Sequence, residues 1–185
     1  MSINPLESAF RGLILLLQET GTDYLLIGGL AVLASGEPRM TQDIDLILFI
    51  EKTDLPWFLE KAGKKFKVNP RTAIYGARTR GAFSFSYRNV PVDVIVASTD
   101  LERSALKRKI RVRLFGRKVN LPSPEDLILL KLIPGRTKDL ADVEAIVARQ
   151  GASLDKKYLR QWGERLADMA EDTRVLRQLK GLKVI

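Results

Sequence analysis

The sequence contains no cysteine and no histidine. Without cysteine there is no disulfide framework, no thiolate nucleophile and no thiolate metal site. Without histidine, the Ser-His-Asp triad, the usual zinc sites and every imidazole general base are excluded. Any catalysis must therefore run on Asp, Glu, Lys, Arg, Ser, Thr, Tyr or a bound metal. Long apolar runs are also missing. The longest stretch without a charged residue, Tyr24 to Gly36, falls short of the ~20 residues that a helix needs to cross a bilayer. No basic, then apolar, then small-residue leader opens the chain, and the expectation is a cytoplasmic protein with no membrane partner. Internal repeats and low-complexity segments are absent.

What is present is globular in its proportions. The 185 residues suit one domain with a small appendage. Such a chain buries roughly 70% of its unfolded surface and needs no covalent staples. Hydrophobic residues make up 45% and charged residues 29%, which excludes a disordered chain, a collagen and a coiled-coil rod. The charge is one-sided: 31 Lys and Arg against 22 Asp and Glu give a net +9 and a pI near 9.9. This balance favours a polyanionic partner, such as nucleic acid, a nucleotide or an acidic protein, or else a solvated basic surface. Eight of the basic residues fall between Arg103 and Lys118.

Periodicity separates two halves. Leu6, Phe10, Leu13, Ile14 and Leu17 carry a helix over 5–20 that Gly21 ends. Residues 24–27 read as a buried strand running into Gly28-Gly29, 30–34 as a short apolar helix, 43–50 as a strand and 55–66 as an amphipathic helix. Residues 82–87 alternate and 91–97 are Val- and Ile-rich, which predicts a hairpin across Arg88-Asn89-Val90. A second hairpin turns at Gly116 between 110–115 and 117–121. Arg111 and Arg113 then share one strand face, which could track an RNA backbone or simply guard an edge. Phe115 is the only aromatic there, so base stacking is not indicated. From Ser123-Pro124-Glu125-Asp126, an N-cap with Pro at the first position and acids in the first turn, the chain turns helical. Further helices are expected near 138–149, 155–169 and 172–180. The stripe Leu154, Tyr158, Trp162, Leu166 and Met169 is read as core packing. The fold class is thus α+β: a mixed sheet with flanking helices over 1–121, then a helical C-terminal region over 122–185 packed on it.

The stretch that carries chemistry is Ile27-Gly28-Gly29-Leu30 followed by Asp43-Ile44-Asp45-Leu46. Alternation along a strand points Asp43 and Asp45 to one face, with Cα atoms about 6.5–7 Å apart. Two such carboxylates repel, and either a proton or a cation must relieve them. A hard divalent ion such as Mg²⁺ does this with carboxylate oxygens and substrate phosphates. Asp93 interrupts the strand Pro91 to Val96. It is either a turn residue or a third ligand, and acids from two neighbouring strands can hold two metals about 3.5–4 Å apart for in-line phosphoryl displacement. The strand–Gly-Gly–helix junction presents bare backbone N–H groups that suit phosphate. Lys131 is the only charge in Leu127 to Ile133, and it must snorkel or meet an anion.

The order Gly28, Gly29, Asp43, Asp45, Asp93 resembles the nucleotidyltransferase superfamily with the DNA polymerase β-like fold. Its pattern is hydrophobic-Gly-Gly/Ser, about ten residues, Asp-x-Asp/Glu between hydrophobics, then a third Asp on a later strand. More narrowly, Arg39-Met40-Thr41-Gln42-Asp43-Ile44-Asp45-Leu46 resembles the Arg-x-Thr-x-Asp-hydrophobic-Asp stretch of the AbiEii/MenT-type toxins and related minimal nucleotidyltransferases. The segment Leu130 to Asp142, with Lys131, Arg136, Lys138, Asp139 and Asp142, resembles their Lys…Arg-x-Lys-Asp…Asp segment. The resemblance spans about residues 24–145. Gly29-Leu30 stands where many relatives carry a Ser or Thr that touches phosphate, so phosphate binding here would rest on backbone.

The resemblance implies a Mg²⁺- or Mn²⁺-dependent enzyme that moves an NMP from an NTP to an acceptor. It implies metal and catalytic roles for Asp43, Asp45 and Asp93, and nucleotide contacts for Gly28, Gly29, Arg39, Thr41, Lys131, Arg136 and Asp139. The expected acceptor is RNA, possibly a tRNA 3′ end, in a toxin–antitoxin-like setting with a cognate partner. Alternatives are a protein-modifying, AMPylating enzyme and a non-catalytic antitoxin or RNA-binding module on the same scaffold.

Overall fold

A computed structural model of the chain describes residues 4–35 and 40–185. These residues form two compact units, with the boundary along the chain between Leu121 and Pro122.

The first unit is built on a four-stranded sheet: β1 (Asp23–Ile27), β2 (Ile44–Phe49), β3 (Ala82–Tyr87) and β4 (Val90–Val96), in the order β1-β2-β4-β3. β2 and β4 are parallel and the outer pairings are antiparallel, so the sheet is mixed. The register puts Leu26, Leu46, Val94 and Phe83 side by side on one face, all buried. One residue along, the alternation of the strands turns the row Ile27, Asp45, Asp93 and Ser84 to the opposite face.

Helix α1 (Pro5–Thr20) is started by Asn4, whose side chain accepts from the Leu6 N–H, and closed by Gly21 at φ +61°. It buries Phe10, Leu13, Ile14 and Leu17. α2 (Gly28–Ala34) begins directly at the glycine pair. α3 (Leu55–Ala62) is shorter than the periodicity predicts, because Gly63 caps it.

Two further helices lie in segments without a strong apolar stripe. α4 (Pro70–Arg80) is capped by Asn69 and ends at Gly81, and it buries only Ala73, Gly76 and Ala77. A Cβ at Gly76 would sit 2.5 Å from the Ala82 carbonyl oxygen, so the glycine is what lets α4 lie against β3. α5 (Asp100–Lys107) opens with a capping box, Thr99 accepting from the Glu102 N–H and Glu102 accepting from the Thr99 N–H. β5 (Ile110–Leu114) and β6 (Arg117–Leu121) form a separate two-stranded sheet.

Both hairpins turn in two residues. Arg88 (φ +46°) and Asn89 (φ +71°) join β3 to β4, and Phe115 (φ +46°) and Gly116 (φ +74°) join β5 to β6. Left-handed backbone at both turn positions matches the twist of a hairpin. The first loop is one residue shorter than the sequence pattern suggests, since Val90 is already paired with Tyr87.

The second unit is helical: α6 (Pro124–Leu132), α7 (Thr137–Gln150), α8 (Lys156–Ala170) and α9 (Arg174–Gly181). The Ser123 hydroxyl caps α6 by accepting from the Asp126 N–H. That hydroxyl also donates to Asp126 Oδ2 at 2.7 Å, and Tyr158 donates to Asp126 Oδ1. α8 meets α9 through Gly163, where a Cβ would lie 2.9 Å from Leu179 Cδ1. The buried side of α8 is therefore Leu159, Trp162, Gly163 and Ala167. This side is rotated from the expected stripe, and Met169 is 68% exposed rather than core. No helix among the described residues is long and apolar enough to cross a membrane.

Candidate active site

The polar row of the first unit is where charge collects. Asp45 in β2 and Asp93 in β4 are direct register partners on parallel strands. Asp43 lies just before β2, which begins at Ile44 rather than at Asp43. Its carboxylate is steered by Thr41, whose Oγ1 donates to Asp43 Oδ1 at 2.6 Å. One carboxylate oxygen from each of Asp43, Asp45 and Asp93 lies within 4.8 Å of the others, and all three residues are half-buried. Ser84, opposite Asp93 across the β3–β4 ladder, donates to Asp93 Oδ1 at 2.6 Å.

The glycine pair shapes this cluster sterically. Gly28 has φ +64°, and a Cβ there would fall 1.8 Å from Asp45 Oδ2. At Gly29 a Cβ would fall 2.6 Å from Thr41 Oγ1. Each glycine thus leaves the space that an acidic or hydroxyl side chain of the cluster fills. Three hard oxygen donors gathered against bare backbone fit a divalent cation in chemistry and in room. Arg39 lies outside the described residues.

Beside the row is a cavity of ≈ 490 Å³. Asp45, Asp93 and Ser84 line one part of it, and Thr72 and Arg80 of α4 line another. This volume is in the range of small-molecule sites.

Lys131, Arg136, Asp139 and Asp142 gather in the helical unit. The Lys131 ammonium lies 2.7 Å from Asp142 Oδ2 and 3.6 Å from Asp139 Oδ1, and all three side chains are buried. The exposed Arg136 guanidinium reaches Asp139 Oδ2 at 2.6 Å. The anion that Lys131 requires is thus supplied by α7. Burial would raise the Asp139 carboxyl, but the hydrogen bond from Arg136 and the charges of Lys131, Arg136 and Lys138 outweigh it and hold the group below its ordinary value.

Ser84 is the member of the cluster that sequence reasoning missed. Its signal was the register: a two-residue turn at Arg88-Asn89 sets Ser84 opposite Asp93, whereas a three-residue turn sets it opposite Val94.

Residues 6–180 match the family model described as "Nucleotidyltransferase of unknown function (DUF6036)". The chain belongs to this nucleotidyltransferase family. No curated protein sequence matches it. Among solved structures, the antibiotic-resistance factor ANT(2'')-Ia is similar at 17% identity and a TM-score of 0.62, over 90% of this chain and 95% of that one. The lincosamide antibiotic adenylyltransferase LnuA, solved with lincomycin bound, has 14% identity and a TM-score of 0.53 over 79% of this chain and 98% of its own. An antigenic nucleotidyltransferase-like protein from Paracoccidioides brasiliensis has 18% identity and a TM-score of 0.52 over 95% and 94%. The mixed sheet with flanking helices is therefore the nucleotidyltransferase fold. In this family member, the Gly-Gly turn and the three aspartates stand at one place on the first unit's sheet.

Proposed function

We propose that this family member transfers a nucleoside monophosphate from an NTP to a hydroxyl of an RNA, with a tRNA 3′ end as the first candidate. The observation that carries the reaction class is the convergence of Asp43, Asp45 and Asp93 within 4.8 Å in a chain of a nucleotidyltransferase family. Asp43, Asp45 and Asp93 would hold Mg²⁺ or Mn²⁺, which would supply a Lewis acid to balance the charge of the triphosphate. The backbone N–H groups of Gly28 and Gly29, with Thr41 and Arg39, are assigned to the phosphates. Asp93 is the general base. Ser84 donates to its Oδ1 and so fixes the rotation of the carboxylate toward the acceptor.

In the reaction, the acceptor oxygen bonds to the α-phosphorus as the bond from that phosphorus to the α,β-bridging oxygen breaks. Pyrophosphate leaves, and the acceptor proton passes to Asp93 and then to water. The net charge of +9 supports a polyanionic acceptor.

The test is transfer in cell lysate with α-labelled NTP and Mg²⁺, the products then divided between RNase and protease. The reading expects label that protease spares and RNase removes. Label lost to protease and spared by RNase assigns a protein acceptor, and label on a small molecule assigns an antibiotic-like acceptor. Either result overturns the RNA assignment.

A further inference from the structure

α4 carries a surface pattern that the mixed sheet and the aspartates do not explain. Its sequence from Pro70 to Arg80 holds Arg71, Arg78 and Arg80 and no acidic residue. Arg71, Tyr75 and Arg78 follow each other at i, i+4 and i+7, which stacks them on one helical face. All three are exposed, Tyr75 at 68%. A large aromatic left this open on a helix that packs only Ala73, Gly76 and Ala77 contributes nothing to the core. At a rise of ~1.5 Å per residue, the two arginines bracket the ring over about 10 Å. A cation on each side of a free aromatic face is the arrangement that binds a single strand: the ring stacks a base and the guanidinium groups take the flanking phosphates.

The position of this stripe decides what it serves. Thr72 and Arg80 of the same helix line the cavity that Asp45, Asp93 and Ser84 line from the sheet. Thr72 stands about 60° around the helix from Tyr75, whereas Arg80 stands on the side opposite the stripe, so a strand held along Arg71, Tyr75 and Arg78 reaches the cavity past Thr72. The basic run on β5 and β6 lacks this combination. Just before it, Arg103 of α5 pairs with Asp100 and Lys109 with Asp23, and no exposed aromatic stands beside Arg111 and Arg113.

We infer that the Arg71–Tyr75–Arg78 face of α4 is the binding surface for the single-stranded end of the RNA acceptor, leading its terminal nucleotide into the cavity beside Asp93. This inference rests on the nucleotidyl-transfer reading for its direction, but it is read by binding alone.

The experiment uses the full chain without NTP or metal and a fluorescein-labelled single-stranded RNA decamer, with affinity measured by fluorescence anisotropy across a salt series. Circular dichroism melts check that each variant is folded. Arg71→Glu/Arg78→Glu is expected to weaken binding at least tenfold. It should also flatten the dependence of log K on log salt by about 1.4, the loss of two contacts at ~0.7 each. Tyr75→Ala is expected to lose roughly 5- to 100-fold, the worth of one stacked base, and Tyr75→Phe to stay within about twofold of the parent. Arg111→Glu/Arg113→Glu is expected to cost less than about threefold.

Parent-like binding by the α4 variants, with the loss falling on the Arg111/Arg113 pair, would overturn the assignment. So would an unaffected Tyr75→Ala combined with competition by polyglutamate as strong as by RNA, which would make the surface one for an acidic protein. RNA bound through α4 with no label transferred contradicts the catalytic reading alone. RNA labelled equally by parent and α4 variants contradicts the α4 surface alone.

Discussion

Gly28 and Gly21 show how much the surroundings of one residue decide. Both have left-handed backbone, φ +64° and +61°, which disfavours any side chain by about 1 kcal/mol. A Cβ at Gly21 meets nothing within 4 Å, whereas one at Gly28 strikes the Asp45 carboxylate at 1.8 Å. Gly21→Ala is therefore expected to lower stability by only about 1 kcal/mol and keep transfer activity. Gly28→Ala should lower stability by more and abolish transfer, because Asp45 must move. Urea unfolding and label transfer on the two variants check this, and equal activity would contradict it.

Lys131 makes a second case at the same scale. Its charge was legible as one that must snorkel or meet an anion, and the structure supplies the anion. The anions are Asp142 and Asp139. Because Asp139 is held below its unfolded value of about 3.8, its ion pairs stabilise the fold above that pH and lose their effect as pH falls through the lower folded value. Urea unfolding of the parent and Asp139→Asn should therefore show a gap that is constant above pH 5 and closes below about pH 3.8. A gap independent of pH would contradict the pairing.

At the scale of elements, legibility followed apolar content. α1, the central strands and the helices from Ser123 onward announce themselves by periodicity and caps. α4 escaped because it docks through Ala73, Gly76 and Ala77, residues too small to make a stripe, although Asn69-Pro70 and Gly81 marked both of its ends. The β3–β4 loop was misjudged by one residue, and that single step conceals the hydrogen bond from Ser84 to Asp93, since a shift of one exchanges the faces of a strand. Arg88 and Asn89 occupy turn positions that Asn and Gly prefer. The double substitution Arg88→Asn/Asn89→Gly is expected to stabilise the chain by about 1 kcal/mol, read by thermal melting, with transfer unchanged. A loss of stability would contradict the two-residue turn.

For the whole molecule, the Asp-x-Asp pair, the glycine turn and Asp93 were readable as one group because their order along the chain resembles the nucleotidyltransferase pattern. The family match supports the nucleotidyltransferase class. What order alone could not give is the meeting of the three carboxylates, which depends on the parallel pairing of β2 with β4 and on the turn held by Thr41. The central claim is that this cluster drives nucleotidyl transfer. The most direct measurement is the stoichiometry of products from the purified chain with Mg²⁺, α-labelled NTP and total RNA. The account predicts one pyrophosphate released per label incorporated, with both lost in Asp93→Asn and on chelation by EDTA while the variant's melting temperature is kept. Release of orthophosphate instead of pyrophosphate, or undiminished incorporation by Asp93→Asn, would contradict it.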